Sequence, residues 1–355
     1  MPGISIVAAI NAQERQESVE KLRRKILRDA SDPLSYPSAV FVSYYRLSKE
    51  AFIMVLEKLS PHLQSSTIPV IIQLSTTLRF LATGAFQGVI AKDVDISLGR
   101  STVSTIMWRV INATENIICP QWIKLQMSAD EIQNSKAHFF NKFHVPGVIG
   151  CIDGTHVKMN KPSEDESLFF NRKGSFSVNA MIICDYKMKV CAVDACRPGS
   201  CHDSFIWNMS RARTFFLNNY SNGNKNSWLL GDSGYGLEPF LITPYKNVTI
   251  GTLEHKFNQK HASARNIIER TIGVLKSRFR CLLGTLQYTP QKVVKIINVC
   301  CALHNICREY NVEYEDIITT NENDENYDED VEEISGRDMF NVAQRIRNNI
   351  AAQLN

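Results

Sequence analysis

Apolar side chains in the first 145 residues return at steps of three and four, the period of helices that bury one face. Over residues 14–30 the stripe is Val19, Leu22, Ile26 and Ala30, and Asp32-Pro33 ends it. From Ser48 the apolar positions are Ala51, Phe52, Val55, Leu56 and Leu59, with Pro61 as the expected stop. Leu74 to Phe86 predicts a third amphipathic helix, and Gln87 to Gly99 a short one that ends in turn residues. Ser101 then reads as the N-cap of a helix with Val103, Ile106, Val110 and Ile111 facing inward. After Pro146 the period changes. Residues 147–159, 178–185, 190–195 and 228–232 are short apolar runs bounded by Gly, Pro, Asn or Asp, the pattern of buried strands. A helical stretch over 203–216 separates the third from the fourth, and helices follow from about 262 to 281 and from 291 to 310.

This order predicts a mixed α/β domain behind an all-α region. The expected boundaries are an N-terminal helical region over 1–63, a helix-turn-helix-like region over 64–120 and a connecting helix over 121–146. An α/β domain over 147–310, an acidic linker over 311–334 and a C-terminal amphipathic helix over 335–355 complete the chain. In the second region a polar, cationic outer face carries Arg100, Thr102, Thr105, Arg109 and Asn112, as in DNA-reading helices. Three packed helices without any DNA contact would show the same pattern.

Composition narrows the function. Of 355 residues 44% are apolar and 21% charged, a globular balance. No apolar run approaches the roughly 18 residues of a membrane span, and Met1 to Asn11 lacks the cationic start of a signal peptide. Ten cysteines are too sparse for a disulfide scaffold, so a reducing compartment, nucleus or cytoplasm, is expected. The net charge of +4 hides an asymmetry. Residues 313–355 carry a net −9 and the other 312 residues a net +13. A basic body with an acidic tail suits a protein that handles nucleic acid.

Candidate chemistry lies in the α/β part. Asp153, in Cys151-Ile152-Asp153-Gly154-Thr155-His156, and Asp232, in Leu229-Leu230-Gly231-Asp232-Ser233-Gly234, each sit at the end of an apolar run, where a carboxylate is costly unless paired or bound to metal. Either alone would pass for a turn-forming Asp. The helix over 262–281 adds Glu269, a lone acid among Arg265, Arg270, Lys276, Arg278 and Arg280. Its plain alternative is an intrahelical pair with Arg265 or Lys276. Three hard oxygen ligands on two strands and a helix match Mg²⁺, whose pairs serve phosphodiester chemistry. Zinc is a rival, through Cys191, Cys196, Cys201 and His202 or through Cys300, Cys301, His304 and Cys307. The second set lies on a single helix, and the first lacks a compact CxxC spacing.

Several segments, in order, resemble the PIF/Harbinger transposases and the Harbinger transposase-derived nucleases. They are GVIGCIDGTHV at 147–157, NRKGSFSVNAMIICD at 171–185, PGSCHDSFIW at 198–207 and LLGDSGYG at 229–236. TPY at 243–245, NIIERTIGVLKSRFRCL at 266–282 and CCALHNIC at 300–307 continue the series. The resemblance spans roughly residues 40–310. It implies an RNase H-like DDE endonuclease domain with Asp153, Asp232 and Glu269 as catalytic and metal-holding triad, 36 residues separating the last two. Asp203 is the weaker candidate ligand, with a helix-capping role expected instead. The implied cofactor is Mg²⁺ or Mn²⁺ and the implied substrate is DNA. Arg265, Arg270, Lys276, Arg278, Arg280, Arg172 and Lys173 are expected to place phosphates. A Myb/SANT-type partner, a homodimer and the nucleus are further implications. The competing function is a DNA-binding or adaptor protein that keeps the nuclease fold as a scaffold.

Overall fold

The computed structural model describes residues 3–63, 66–93, 96–313 and 337–354. Among the described residues eight α-helices precede the sheet. They are α1 (Gly3–Asp29), α2 (Ser38–Tyr45), α3 (Lys49–Leu63), α4 (Val70–Thr83), α5 (Gln87–Ile90), α6 (Arg100–Ile117), α7 (Cys119–Trp122) and α8 (Ala129–Phe143). The stripe expected to bury α1 faces solvent instead, since Val19, Leu22 and Ile26 are each more than half exposed. Pro61 does not stop α3 but sits in its last turn. The helix expected over 87–99 shrinks to the single turn of α5, so α6 follows a loop rather than a full helix. Val103, Ile106, Val110 and Ile111 of α6 are buried as expected. Ser128 and Glu131 form a reciprocal capping box that starts α8 sharply.

A five-stranded sheet follows. Its strands are β1 (Val148–Lys158), then, after the short α9 (Glu166–Phe169), β2 (Ser177–Cys184) and β3 (Val190–Pro198). Helices α10 (Asp203–Met209) and α11 (Arg211–Ser221) lead to β4 (Trp228–Leu230) and β5 (Leu241–Ile242), and the chain continues through α12 (Leu253–Arg278), α13 (Pro290–Glu309) and α14 (Arg337–Ala352). The spatial order is β3-β2-β1-β4-β5. β1, β2 and β3 form an antiparallel meander, and β4 and β5 run parallel to β1.

Helices cover both faces. On one side Ile152, Met181, Ile183, Leu229 and Leu241 pack with Ile206, Trp207 and Phe216 of α10 and α11. On the other, Cys151, Val157, Ile182 and Leu230 meet Ile268, Ile272 and Leu275 of α12 and Ile296, Cys300 and Leu303 of α13. That second cluster runs without a break into Phe41, Phe52, Leu78 and Val110 of the preceding helices. The C-terminal stripe docks back on the body as α14. There Ala343, Ile350 and Ala351 are buried, and Arg347 donates to the carbonyls of Thr243 (3.2 Å) and Pro244 (3.0 Å). The linker expected over 311–334 lies, from residue 314 on, outside the described residues. Among them no helix is long and apolar enough to cross a membrane.

Candidate active site

Register brings the first two carboxylates together. Cys151 of β1 pairs with Leu230 of the parallel β4, and Asp153 and Asp232 each stand two residues further along. One Asp153 oxygen, Oδ1, accepts from the amide of Gly154 at 2.9 Å, and Asp232 Oδ1 accepts from the amide of Gly234 at 3.0 Å, closing a tight turn. Asp203 arrives from the opposite layer as the first residue of α10. Asn179 of β2 donates from Nδ2 to its Oδ1 at 2.8 Å. Its carboxylate rests where a side chain at position 154 would stand, since a Cβ there would lie 2.3 Å from Asp203 Oδ1. Carboxylate oxygens of Asp153, Asp203 and Asp232 all lie within 4.8 Å of one another.

Glu269 stands apart from this trio, tethered to it by a cation. Arg265, one turn earlier on α12, donates from Nη1 to Asp153 Oδ2 at 3.0 Å and from Nη2 to Glu269 Oε1 at 2.9 Å. The plain intrahelical pair is therefore present, but the same guanidinium also binds Asp153. Side-chain exposure is 14% for Arg265, 17% for Asp153 and 43% for Glu269, so this edge opens toward solvent at the glutamate.

Burial pushes the Asp153 carboxyl up to about 7; Arg265 opposes the rise, and Asp232 and Asp203 add to it. The Tyr235 phenol is raised well above its ordinary range by burial first and then by Asp203, Asp153 and Asp232. Its hydroxyl is buried with no hydrogen-bond partner among the described residues, as is Asn179 Oδ1. Converging hard oxygens, with Asp153 destabilised as an anion and orphaned polar atoms nearby, fit a small divalent cation. Among the described residues no other group of three or more His, Cys, Asp or Glu converges this way. The zinc sets are spent elsewhere. Cys300, Cys301 and Cys307 are buried in the core, His304 donates from Nε2 to the carbonyl of Met188 at 2.8 Å, and Cys196 is exposed.

The expected phosphate-placing cations divide. Arg270, Arg280, Arg172 and Lys173 are exposed, and Arg172 stands against the imidazole of His202, next to Asp203. Lys276 donates to the carbonyl of His156 at 2.9 Å. Arg278 corrects the expectation: it is 2% exposed and reaches the carbonyls of Arg46 (3.4 Å) and Val312 (3.1 Å), tying α12 to the helical layer. Arg100 and Thr105 are exposed on α6, with Thr102 and Arg109 half-buried beside them.

Comparison with known proteins places the site in a lineage. The family described as DDE superfamily endonuclease matches residues 152–305, a span that contains Asp153, Asp203, Asp232 and Glu269. The Homo sapiens protein named "Putative nuclease HARBI1" is 31% identical over 316 residues, which is 86% of this chain and 87% of the relative. The chain belongs to the Harbinger transposase-derived family of DDE endonucleases. Its Bos taurus relative of the same name is 32% identical over 78% of this chain and 77% of the relative. A plant relative, "Protein ALP1-like" from Arabidopsis thaliana, is 29% identical over 66% of this chain and 59% of its own length. No solved structure matches the chain. DDE endonucleases imply a divalent cation, in keeping with the clustered aspartates.

Sequence reasoning missed Asn179, Tyr235 and the contact made by Gly154. Asn179 left one trace, as the single amide in the otherwise apolar run VNAMIIC. Tyr235 left none beyond its place three residues after Asp232.

Proposed function

We propose that the chain is a divalent-cation-dependent DNA endonuclease built on an RNase H-like core. The observation that carries this reading is the convergence of Asp153, Asp203 and Asp232 beside an α12 edge that presents Glu269. Asp153 and Asp232 would hold Mg²⁺ or Mn²⁺, with Glu269 completing one site and Asp203 close enough to share it. Bound there, a cation pair supplies activation of an attacking water or 3′-hydroxyl and stabilisation of the departing 3′-oxygen. Asn179 fixes the Asp203 carboxylate, and the Gly234 amide fixes that of Asp232, so these two carboxylates need little reorganisation on loading. The exposed Arg172, Lys173, Arg270 and Arg280 position phosphates around this centre. The outer face of α6, with Arg100, Thr102, Thr105 and Arg109, is a second DNA contact. A Myb/SANT-type partner, pairing of two copies to bring two DNA ends together, and residence in the nucleus belong to the same proposal.

The test is cleavage of labelled duplex DNA with Mg²⁺, Mn²⁺ or EDTA. Wild type should cut only with a divalent cation, and Asp153→Asn and Glu269→Gln should each lose at least about a hundredfold in rate. Full metal-dependent cutting by Asp153→Asn would remove this assignment. Equal DNA binding with no cutting by any form, partner protein present, would favour the scaffold.

A further inference from the structure

Arg265 occupies an unusual place for a residue expected to hold DNA. Its guanidinium lies in a region shared by four carboxylates, bridging Asp153 and Glu269, and is itself mostly buried. Asp153 has both oxygens engaged, Oδ1 by the Gly154 amide and Oδ2 by Arg265 Nη1. Glu269 Oε1 is engaged by Nη2. One oxygen of Asp153 and one of Glu269, each able to serve a divalent cation on the α12 side, are therefore bonded to a monovalent one that the chain supplies.

Building on the nuclease reading above, we propose that Arg265 is an internal counter-cation that couples cation loading to DNA engagement. In the free enzyme it neutralises Asp153 and Glu269 and competes with an incoming divalent cation for the same oxygens. Arrival of a second positive charge at Asp153 repels the guanidinium, and a DNA phosphate is the group that best receives it, because the planar fork matches phosphate as well as carboxylate. The exit lies beside Glu269, the most exposed of the three partners. DNA thus frees the carboxylates for the cation, and the cation frees the guanidinium for DNA. Linkage makes the two effects equal in size.

The measurement is Mn²⁺ binding to the full chain, read as free Mn²⁺ by electron paramagnetic resonance, with and without a short duplex. Wild type should bind Mn²⁺ more tightly when the duplex is present. Arg265→Gln should bind Mn²⁺ about tenfold more tightly than wild type without DNA, since a charge-assisted competitor is gone, and the duplex should no longer change the affinity. Its melting temperature without cation should fall, and Mn²⁺ should raise it by more than in wild type. Arg265→Lys keeps the charge without the fork. It should retain weak Mn²⁺ binding in the free protein and lose most of the duplex effect, which covers the case in which the Gln variant does not fold. Weaker Mn²⁺ binding in Arg265→Gln, or an undiminished duplex effect, overturns the coupling. Asp232→Asn separates the two proposals. If wild type binds no Mn²⁺, or Asp232→Asn binds it equally well, the metal site itself fails. If Asp232→Asn loses binding while Arg265→Gln matches wild type, the coupling alone fails.

Discussion

Two glycines four residues apart on β1 show how differently the same substitution acts. A Cβ at Gly150 would stand 2.6 Å from the carbonyl oxygen of Cys184, backbone of the neighbouring strand, so β1 and β2 must spread to admit it. Gly150→Ala should cost about 1–3 kcal/mol of stability, read by denaturant unfolding. At Gly154 the obstacle is the Asp203 carboxylate, with Cγ 2.7 Å and Oδ2 2.9 Å from the added carbon. A side chain can turn away where a strand cannot. Gly154→Ala should therefore keep most of its stability while Mn²⁺ binding weakens by tenfold or more, on the order of one lost charged ligand contact. Equal loss of stability in both variants would contradict this division. The sequence marked Asp153 and Asp232 because each is a lone acid at the end of an apolar run, a local signal. Nothing local links Gly154 to Asp203, 49 positions away, so the sequence offers the third aspartate only as a helix cap or a weaker ligand. The expectation fails at Arg278 for a related reason: helical spacing gives a residue's face, not the layer packed against that face.

Element boundaries followed the same logic. Strands β1, β2 and β3 were legible because their apolar runs are long; β5, two residues paired with Leu229 and Leu230, is too short to leave a period. Helix α12 begins at Leu253, nine residues before the expected start, because Thr252 caps it and its first turns bury little besides Phe257 and His261. The single helix expected over 203–216 is two, and Ser210 divides them. Its hydroxyl donates to the carbonyl of Trp207 at 2.8 Å and accepts from the amide of Arg213 at 3.0 Å. The α10–α11 pair that carries Asp203 is anchored at Glu238, whose carboxylate is nearly fully buried. It accepts from Trp207 Nε1 at 2.7 Å and from Arg213 Nε and Nη2 at 2.9 and 2.6 Å. Glu238→Ala leaves that guanidinium and indole without their acceptor and should cost about 2–4 kcal/mol, less than a fully enclosed pair because Arg213 keeps some solvent. Loosening α10 should also weaken Mn²⁺ binding, although Glu238 touches none of the three clustered aspartates. A variant that unfolds earlier yet binds Mn²⁺ normally would show that Asp203 is held from β2 alone, through Asn179.

At the scale of the whole molecule, two buried histidines pin helices to the sheet layer. His261 of α12 donates from Nε2 to the carbonyl of Ile242 at 3.1 Å, and His304 of α13 donates from Nε2 to that of Met188 at 2.8 Å. Asn305, beside the latter, grips Val190 through both its backbone groups, so the CCALHNIC segment works as a clamp on the β2–β3 turn. Burial holds both imidazoles down to about 4, with nearby arginines adding to the effect. A proton added to His304 would go to Nδ1, a buried atom with no partner among the described residues. Unfolded, each would titrate near 6.5. Their contribution to stability is therefore whole above about 6.5 and is lost as pH falls toward 4, on the order of a few kcal/mol for each. Asp153 acts in the opposite sense. Its carboxyl, raised to about 7, takes a proton more readily folded than unfolded, and so adds stability as pH falls from 7 toward 4. A single melting curve against pH would mix the two. The difference between wild type and the double variant His261→Gln, His304→Gln separates them, because Gln keeps an N–H for each carbonyl and leaves Asp153 unchanged. That difference in unfolding free energy should be level above pH 6.5 and should shift in favour of the variant between 6.5 and 4. A difference that stays constant across this window would mean that the histidines are charged in the folded core, or are solvated well enough for the charge to carry no cost.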